Sequence, residues 1–392
     1  GGGLPGLALS PPRPGPAVEG GLSMRIWLLP LALLVTACNN APPDTAPVLR
    51  VAQVMGAEPD PGFARALEPR TFTFPRDHGA HPEYAIEWWY LTGNLQTDSG
   101  RRFGYQFTLF RVGLRPGEPD SDSAWRTRQV YMGHLAISDA DKAHHHSAER
   151  FARAAAGLAG SQITPFSVWL GPWSLQADSA FDSLMIEAGT DTFGLQLRLQ
   201  ASANPLVFQG DRGLSRKSGT PGNASYYYSL TRLPTHGELR IGEARYTVTG
   251  HSWMDREWSS SALNRNQVGW DWFALQLDDG RDLMYYQLRD AEGASDPFSR
   301  GSLVGPDGQV QALLPGQVTL TALRHWQAND GTRYPVSWRL QVSEPELDLT
   351  VSALFDDQRM DHSVRYWEGA VEVSGSHTGR GYLELSGYAT SK

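Results

Sequence analysis

Hydrophobic and polar residues alternate along most of the chain beyond about residue 69, and the alternating segments are separated by Gly, Asp, Ser and Pro. A period of two, rich in aromatic and β-branched residues, is typical of strands that bury one face. Two pairs of such segments flank short turns and predict antiparallel hairpins. They are Ile86 to Gln96 with Arg102 to Val112, and Trp270 to Leu277 with Asp282 to Arg289. A helix is predicted only at Ser147 to Leu158.

The two hairpins are similar to each other, which indicates a tandem repeat. Trp88 and Leu95 of the first align with Trp270 and Leu277 of the second at a constant offset of 182 residues, and each hairpin turns at a Gly followed by an Arg. A unit of about 150 to 175 residues suits a barrel of about eight strands whose lumen can hold one apolar ligand. We therefore predict an all-β fold of two tandem antiparallel β-barrels, at residues 69–243 and 244–392. A pair of β-sandwiches is the alternative.

The region before the barrels has the features of a lipoprotein leader. Met24 begins the segment MRIWLLPLALLVTAC, whose apolar run is too short to span a bilayer and is typical of a secretory signal. Its last four residues are similar to a bacterial lipobox, which implies acylation of Cys38. We expect residues 1–23 to be an upstream segment outside the fold, residues 24–38 the signal peptide and residues 39–68, rich in Pro and Ala, a tether. Asn39 after the cysteine favours the periplasmic side of the outer membrane.

Cysteine content and charge narrow the range of cofactors and partners. Cys38 is the only cysteine, so the mature protein has no disulfide, zinc–thiolate site or catalytic thiol. Without the leader, Lys plus Arg falls from 34 to 32 and Asp plus Glu from 42 to 41, giving a net charge of −9. This charge argues against nucleic acid as a partner. His78 and His81 are three apart, but Gly79 and Pro82 break any helix that would align them, so we predict no metal and no cofactor.

The stretch GHSWMDREW, which begins at residue 250, is the main candidate for chemistry. Side chains alternate between the two faces of an extended strand, so four chemically capable groups are expected to point the same way. They are His251, Trp253, Asp255 and Glu257. The alternative is structural, because Arg256 and a solvent-facing rim offer Asp255 and Glu257 ordinary partners.

A second candidate is Asp271, in the segment GWDWFALQLDDGR. It alternates with apolar residues such as Phe273 and Leu275, so its carboxyl is expected to be desolvated and to favour the neutral form. Such an acid can donate a proton near neutral pH. The alternative is an ion pair with Arg256 or Arg281, since structural ion pairs also shift pKa values.

Five motifs occur in order between about Arg70 and Tyr388: DHGAHPEYAIEWWYLTGNL, PGNASYYYSLTRLP, GHSWMDREWSSSALNRNQVGWDWFALQLDDGR, YWEGAVEVSG and GRGYLELSGY. Together they resemble the carotenoid 1,2-hydratase (CrtC) and AttH-like family of tandem lipocalin-type proteins, also called predicted secreted hydrolases. The resemblance implies two lipocalin-like β-barrels side by side. The family includes hydratases, cyclases of apolar substrates, and lipoproteins of unknown substrate encoded near transport genes.

In the hydratases of this family, a His-x-Trp element and a later aspartate are implicated in adding water to an isolated double bond. His251 and Trp253 match the first element, and Asp271 is taken as the counterpart of the aspartate. Tyr285 and Tyr286 are candidates for a further tyrosine of that set. Arg256 stands where other branches carry histidine, which implies the lipoprotein branch.

These observations combine into one mechanistic hypothesis. Asp271, held neutral, protonates an alkene, and the ring faces of Trp253 and a neighbouring tryptophan stabilise the cation. His251 or Asp255 orients or deprotonates the water that captures the cation. The residues expected to contact the substrate are Trp270, Trp272, Tyr285, Tyr286 and Trp89.

Two other functions remain open at this point. The same groups suit hydrolysis of a lipid ester, with a carboxylate as the base. A non-catalytic carrier that shelters an apolar molecule for an ABC-type transport system in the envelope also suits a barrel lumen and a lipid anchor. An intact lipid that co-purifies with the protein would favour the carrier, whereas conversion of an added alkene or ester would favour an enzyme.

Overall fold

The computed structural model describes residues 60–117, 123–203, 205–261 and 263–388, together with Gly2 and the strand at residues 49–50. The signal peptide, Cys38 and most of the tether lie outside the described residues, so the predictions made for them stay predictions. None of the helices within the described ranges has the length and apolar character needed to cross a bilayer.

The described part of the chain is built almost entirely of strands, with short 3-10 helices at Arg76–His78 and Ala201–Ala203. The strands up to residue 259 are β1 Leu49–Arg50, β2 Ile86–Gln96, β3 Arg102–Gly113, β4 Gln129–Asp139, β5 His144–Arg153, β6 Ala159–Gln162, β7 Ser167–Leu170, β8 Trp173–Ala177, β9 Ser183–Gly189, β10 Phe193–Gln200, β11 Val207–Phe208, β12 Leu214–Arg216, β13 Ala224–Ile241 and β14 Ala244–Ser259. The later strands are β15 Gln267–Leu277, β16 Asp282–Asp290, β17 Arg300–Val304, β18 Val310–Leu313, β19 Val318–Gln327, β20 Arg333–Ser343, β21 Glu346–Ala353, β22 Arg359–Asp361, β23 Val364–Gly375 and β24 Gly379–Leu385.

The strands form two sheets that follow one plan and are antiparallel except for the parallel pairing of β1 with β23. In the first sheet the order is β5-β4-β3-β2-β14-β13-β10-β9-β8-β7-β6, and in the second it is β18-β17-β16-β15-β24-β23-β21-β20-β19. In each sheet the first long strand pairs with the last, β2 with β14 and β15 with β24. One sheet curls into a nearly closed barrel and the other into a half-barrel. The predicted all-β fold of two tandem lipocalin-like barrels is confirmed, and so are both predicted hairpins.

The boundary between the two barrels lies later than the predicted position at 243/244. Strand β14 pairs along its length with β13 on one side and β2 on the other, from Thr249↔Gln96 to Ser259↔Ile86. It therefore closes the first barrel, and the second barrel begins with β15. The motif GHSWMDREW was expected to open the second barrel because it is followed directly by the repeated hairpin. The pairing partner of a strand depends on long-range contacts that its own pattern does not encode.

The helix predicted at Ser147 to Leu158 is wrong. Most of this segment belongs to β5, which pairs with β4 from Asp139↔His144 to Val130↔Arg153. The alanine-rich segment has a high helix propensity, but each residue contributes well under about 1 kcal/mol. Pairing with a strand of the barrel outweighs that preference.

The end of the first barrel near residue 80 is closed by a buried network of charges. Glu87 accepts hydrogen bonds from the side chains of Arg111 and Arg256, and all three residues are fully buried. The backbone N–H of His81 also donates to Glu87, at 2.9 Å, and the guanidinium carbon of Arg256 lies 4.1 Å from the centre of the Trp89 ring. The histidine-rich loop is therefore ordered by hydrogen bonds.

The two barrels pack against each other through a layer that we call the seam. It is formed by the outward faces of β2, β3, β4, β13 and β14 of the first barrel and by β15, β16, β23 and β24 of the second. Gly104 on β3 allows the close approach, since a Cβ there would lie 2.7 Å from the Cβ of Ala370. Each barrel has its own apolar interior, so the seam is a third, separate layer.

Candidate functional site

A cavity of about 110 Å³ lies within the seam and is lined by both barrels. Its walls are largely aromatic and aliphatic, and they include Trp88, Tyr90, Phe110, Trp270, Trp272 and Leu288. Several carboxyl groups and one ammonium group line the same space. An apolar pocket with a few convergent polar groups is the usual form of a small-molecule site.

Two of these carboxyl groups form a cross-strand pair. Glu368 on β23 and Glu384 on β24 lie directly opposite each other in the antiparallel register. The hydroxyl of Tyr90 donates to Glu368 at 2.7 Å, and the indole N–H of Trp270 donates to Glu384 at 2.9 Å. Glu368 is fully buried, and among the described residues its Oε2 has no hydrogen-bond partner.

The environment of this pair favours protonation. Burial raises the pKa of Glu368 well above its usual range, and the neighbouring charge of Glu384 raises it further. Burial also raises the pKa of Glu384, and it outweighs the hydrogen bond from Trp270. Two carboxylates that face each other across neighbouring strands in one buried site cannot both ionise without a large repulsion, so the pair holds at least one proton near neutral pH.

Asp255 on β14 is a third carboxyl at the cavity. It accepts hydrogen bonds from the Tyr227 hydroxyl at 2.5 Å, the Ser229 hydroxyl at 2.6 Å and the Trp253 indole N–H at 2.7 Å. Burial raises its pKa to about 7 in spite of these three donors. Asp255 is therefore firmly positioned and titrates close to neutral pH.

The cavity also contains a buried cation. The Nζ of Lys217 lies 3.3 Å from a carboxylate oxygen of Glu257, 3.1 Å from the Ser215 hydroxyl and 4.2 Å from the centre of the Tyr286 ring. Burial alone would lower the pKa of Lys217, but the charge and hydrogen bond of Glu257 and the interaction with Tyr286 together outweigh it, and the pKa is raised. Lys217 thus stays an ammonium group beside the cavity.

The structure brings six of the residues predicted from the sequence together at the seam. Trp253 belongs to its aromatic cluster, and the other five line the cavity: Asp255, Glu257, Trp270, Trp272 and Tyr286. The structural alternative, in which Asp255 and Glu257 lie at a solvent-facing rim and pair with Arg256, is wrong. Both carboxyls are buried, and Arg256 points to the other side of β14, toward Glu87.

Three other predicted residues lie elsewhere. Trp89 belongs to the interior of the first barrel, where its indole N–H donates to the carbonyl of His78 at 2.9 Å. Tyr285 belongs to the interior of the second barrel. His251 is exposed at the far end of the seam, in a polar opening that also contains Arg232 and Arg380. Partial desolvation of its ring and the charges of these two arginines lower the pKa of His251.

Asp271 does not line the seam cavity, because it points into the second barrel. It is fully buried there, 3.1 Å from the Nε of Arg289, and accepts a hydrogen bond from the Tyr388 hydroxyl at 2.8 Å. Burial raises the pKa of Asp271, in the predicted direction, but Arg289 opposes the shift. The ion-pair alternative describes this residue, with Arg289 in place of the arginines considered from the sequence.

Replacing Asp271 with Asn is therefore expected to lower stability and not turnover. The change leaves the Arg289 guanidinium without its buried counter-charge, which costs about 1–3 kcal/mol of unfolding free energy. Urea unfolding and a turnover assay on the same preparation measure the two effects. Loss of turnover at unchanged stability would place the chemistry in the second barrel and not in the seam.

Glu368, Glu384 and Lys217 were missed by the sequence analysis. The two glutamates lie in YWEGAVEVSG and GRGYLELSGY, motifs that carried the family resemblance without any assigned role. A lone Glu among aromatic residues in a period-two strand was the available signal. Only the register of β23 with β24 reveals that the two glutamates lie opposite each other. In the ranges that the structure describes, no group of three or more His, Cys, Asp or Glu side chains could hold a metal ion.

The raised pKa of Asp255 gives a prediction for stability against pH. Between about pH 4, where an unfolded Asp ionises, and about pH 7, the folded protein keeps a proton that the unfolded chain has lost. This group's contribution to the unfolding free energy therefore falls as pH rises, by up to about 1.4 kcal/mol per pH unit. Asp255→Asn should remove that slope. The unfolding free energy of the variant should therefore rise relative to that of the wild type from pH 4 to pH 7, and the difference should stay constant above pH 7. Urea unfolding across this range tests it, and a difference that does not change with pH would contradict it.

Known proteins share both the family and the fold. The AttH-like family model matches residues 65–388. The crystal structure of a putative AttH from Nitrosomonas europaea has 33% sequence identity and a TM-score of 0.75, covering 83% of this chain and 100% of that chain.

Two more distant structures show the fold alone. Kievitone hydratase from Nectria haematococca has 16% identity and a TM-score of 0.60, covering 84% of this chain and 98% of its own. CghA with Sch210972 has 14% identity and a TM-score of 0.53, covering 86% and 97%. No curated protein matches the sequence. With its family model spanning nearly all of the two barrels, the chain belongs to the AttH-like family.

Proposed function

We propose that the protein is a hydro-lyase that adds water to a carbon–carbon double bond of an apolar, isoprenoid-like or lipid-like substrate held in the seam cavity. The observation that carries this proposal is the carboxyl pair Glu368–Glu384, protonated and set in an aromatic wall. The hypothesis formed from the sequence keeps its chemistry, but the acid changes from Asp271 to this pair. One protein that shares the fold is a kievitone hydratase, which agrees with the proposal without carrying it.

The first step is proton transfer to the alkene. The O–H bond of the neutral carboxyl of the pair breaks, a C–H bond forms at one alkene carbon, and the other carbon becomes a cation. The acid must be neutral at working pH and must lose its proton readily, which requires a pKa not far above that pH. Burial and the repulsion of Glu384 raise the pKa of Glu368 and keep its proton in place, and the hydrogen bond from Tyr90 opposes this by stabilising the carboxylate that forms.

The cation is stabilised by the walls of the cavity. Trp88, Trp270 and Trp272 line it, and contact with the π face of such a ring stabilises a desolvated cation by about 2 kcal/mol. The carboxylate left on the pair lies at the same cavity and adds charge stabilisation. Water then forms the C–O bond and loses one proton, so the product is an alcohol. Asp255, which titrates near pH 7, is a second group that can accept a proton there.

The carrier hypothesis uses the same cavity without a reaction. It is favoured by the mainly apolar lining and disfavoured by the buried, protonated carboxyl pair, since a passive apolar site has no need of one. Hydrolysis of a lipid ester would use one ionised carboxylate of the pair as a base. In either case we propose that the protein works in the cell envelope, tethered through Cys38 and in reach of an ABC-type transport system.

Mass spectrometry distinguishes these functions. Organic extracts of the purified protein are examined for a bound lipid, and panels of isoprenoid alkenes and lipid esters are incubated with it in oxygen-18 water. Hydration predicts an alcohol that carries the heavy oxygen. A labelled fatty acid would show hydrolysis, and an intact bound lipid with no conversion of either panel would show a carrier.

A further inference from the structure

A series of hydrogen-bonded, proton-carrying side chains leads from the seam cavity toward the surface. Tyr366 on β23 lines the cavity two residues before Glu368, so both side chains lie on the same face of the strand. The Tyr366 hydroxyl is 2.7 Å from Nδ1 of His134, which is fully buried on β4. Nε2 of His134 is 3.1 Å from a carboxylate oxygen of Glu149 on β5.

Glu149 sets the tautomer of His134. Burial tends to raise its pKa, but hydrogen bonds from His134 and Ser363 outweigh this and lower it, so Glu149 is a carboxylate that can only accept. It therefore accepts the proton on Nε2 of His134, which leaves a lone pair on Nδ1 facing the Tyr366 hydroxyl. The other titratable ring close to His134 is His362, at 6.1 Å, whose Nε2 is 3.0 Å from the Ser147 hydroxyl.

We propose that Tyr366 is a catalytic residue of the hydration, accepting the proton of the attacking water while it passes its own to His134, with Glu149 as the positioning residue. As the C–O bond forms, the O–H bond of the water breaks and a new O–H bond forms at Tyr366. The original Tyr366 proton moves to Nδ1, and Glu149 balances the charge of the imidazolium. This is the logic of a hydroxyl–His–carboxylate triad.

This inference rests on the proposed hydration. The arrangement explains how a buried tyrosine can act as the base in that reaction. Burial, together with the charges of Glu368 and Glu384, raises the pKa of Tyr366 well above its usual range, so a free tyrosinate does not form. Tyr366 can act as a base only if it gives up its proton at the same time, and His134 is placed to take it. One proton leaves the carboxyl pair and one reaches His134, so the net charge of the site is unchanged, and the pair is reprotonated from His134 or from solvent.

Nitrogen-15 NMR of histidine-labelled protein tests the relay without any substrate. The neutral ring of His134 should carry its proton on Nε2, and Tyr366→Phe should leave this unchanged because Glu149 still accepts. Glu149→Ala should shift the ring toward the Nδ1–H form, which donates to Tyr366, and Glu149→Gln, which keeps an accepting oxygen, should restore the Nε2–H form. A wild-type ring protonated on Nδ1 would overturn the proposal.

Kinetics on a converted alkene test the catalytic step. Tyr366→Phe should lower kcat by about 10²- to 10³-fold at unchanged KM, and adding Glu149→Ala should cost little more, since the residues act as a unit. The matched control is Tyr105→Phe, which removes a buried hydroxyl bonded to Ser252 inside the first barrel and should keep full activity. Full activity of Tyr366→Phe would contradict the relay but would leave the proposed hydration unaffected. Absence of any conversion by the wild type would sink the hydration and leave the tautomer result standing.

Discussion

Replacing Glu368 with Gln is expected to lower the rate of hydration by about 10²- to 10⁴-fold, the usual contribution of a positioned general acid. Gln keeps the shape of the side chain and an oxygen that can accept from Tyr90, so the cavity should keep its form. What the variant loses is the proton that the carboxyl pair donates. The measurement is kcat on the alkene that the wild type converts, with infrared spectroscopy of the protonated carboxyl band as a readout that needs no substrate.

The matched control is Glu372→Gln on the same strand. Glu372 is exposed, pairs with Arg102 at the surface and does not line the cavity, so its loss should leave the rate unchanged. Glu384→Gln should lower the pKa of Glu368, because it removes the repelling charge. The acid must be protonated to act, so activity would then be lost at a lower pH than in the wild type. Equal pH profiles for the two proteins would show that the carboxyls are not coupled.

Replacing Glu87 with Ala is expected to have the largest effect on stability. Glu87 is the shared partner of Arg111 and Arg256, and all three side chains are fully buried. Removing the carboxylate leaves two buried guanidinium groups without their counter-charge, which costs about 3–5 kcal/mol of unfolding free energy. Urea unfolding or the yield of folded protein measures this loss.

Glu83→Ala is the control for that experiment. Glu83 lies in the same loop, but its side chain is 46% exposed and 3.9 Å from Arg76. Exposed pairs of this kind contribute between zero and about 1 kcal/mol. A similar small cost for Glu87→Ala would mean that the closed end of the first barrel does not depend on the charge network.

The sequence was sufficient for the fold because the fold is encoded in local patterns. Period-two alternation identified the strands, and the offset of 182 residues between Trp88 and Trp270 identified the repeat. The same information failed for β14, whose alternation is equally consistent with either barrel. Only its pairing with β2 assigns it to the first, and such pairing brings together residues about 160 positions apart, such as Leu95 and Gly250.

The site was only partly predictable, because it too depends on contacts between residues that are far apart along the chain. Alternation correctly placed Trp253, Asp255 and Glu257 on one face, but it could not show that this face meets a second barrel. Asp271 was correctly predicted to be buried among apolar side chains, yet its strand, β15, is buried on both faces. A residue on one face points into the barrel, and a residue on the other face points to the seam. Glu368 acquires its chemistry from Glu384 across the sheet, and no spacing along the chain indicates that contact.

The central claim is that a protonated carboxyl pair in the seam adds a proton to carbon. It is tested most directly by running the conversion of an apolar alkene in deuterium oxide and locating deuterium in the product. We predict one deuterium bound to the carbon next to the new carbon–oxygen bond in the wild-type product, and formation of that product about 10²- to 10⁴-fold more slowly by Glu368→Gln. A product with no carbon-bound deuterium, or the same labelled product from Glu368→Gln at the wild-type rate, would contradict it.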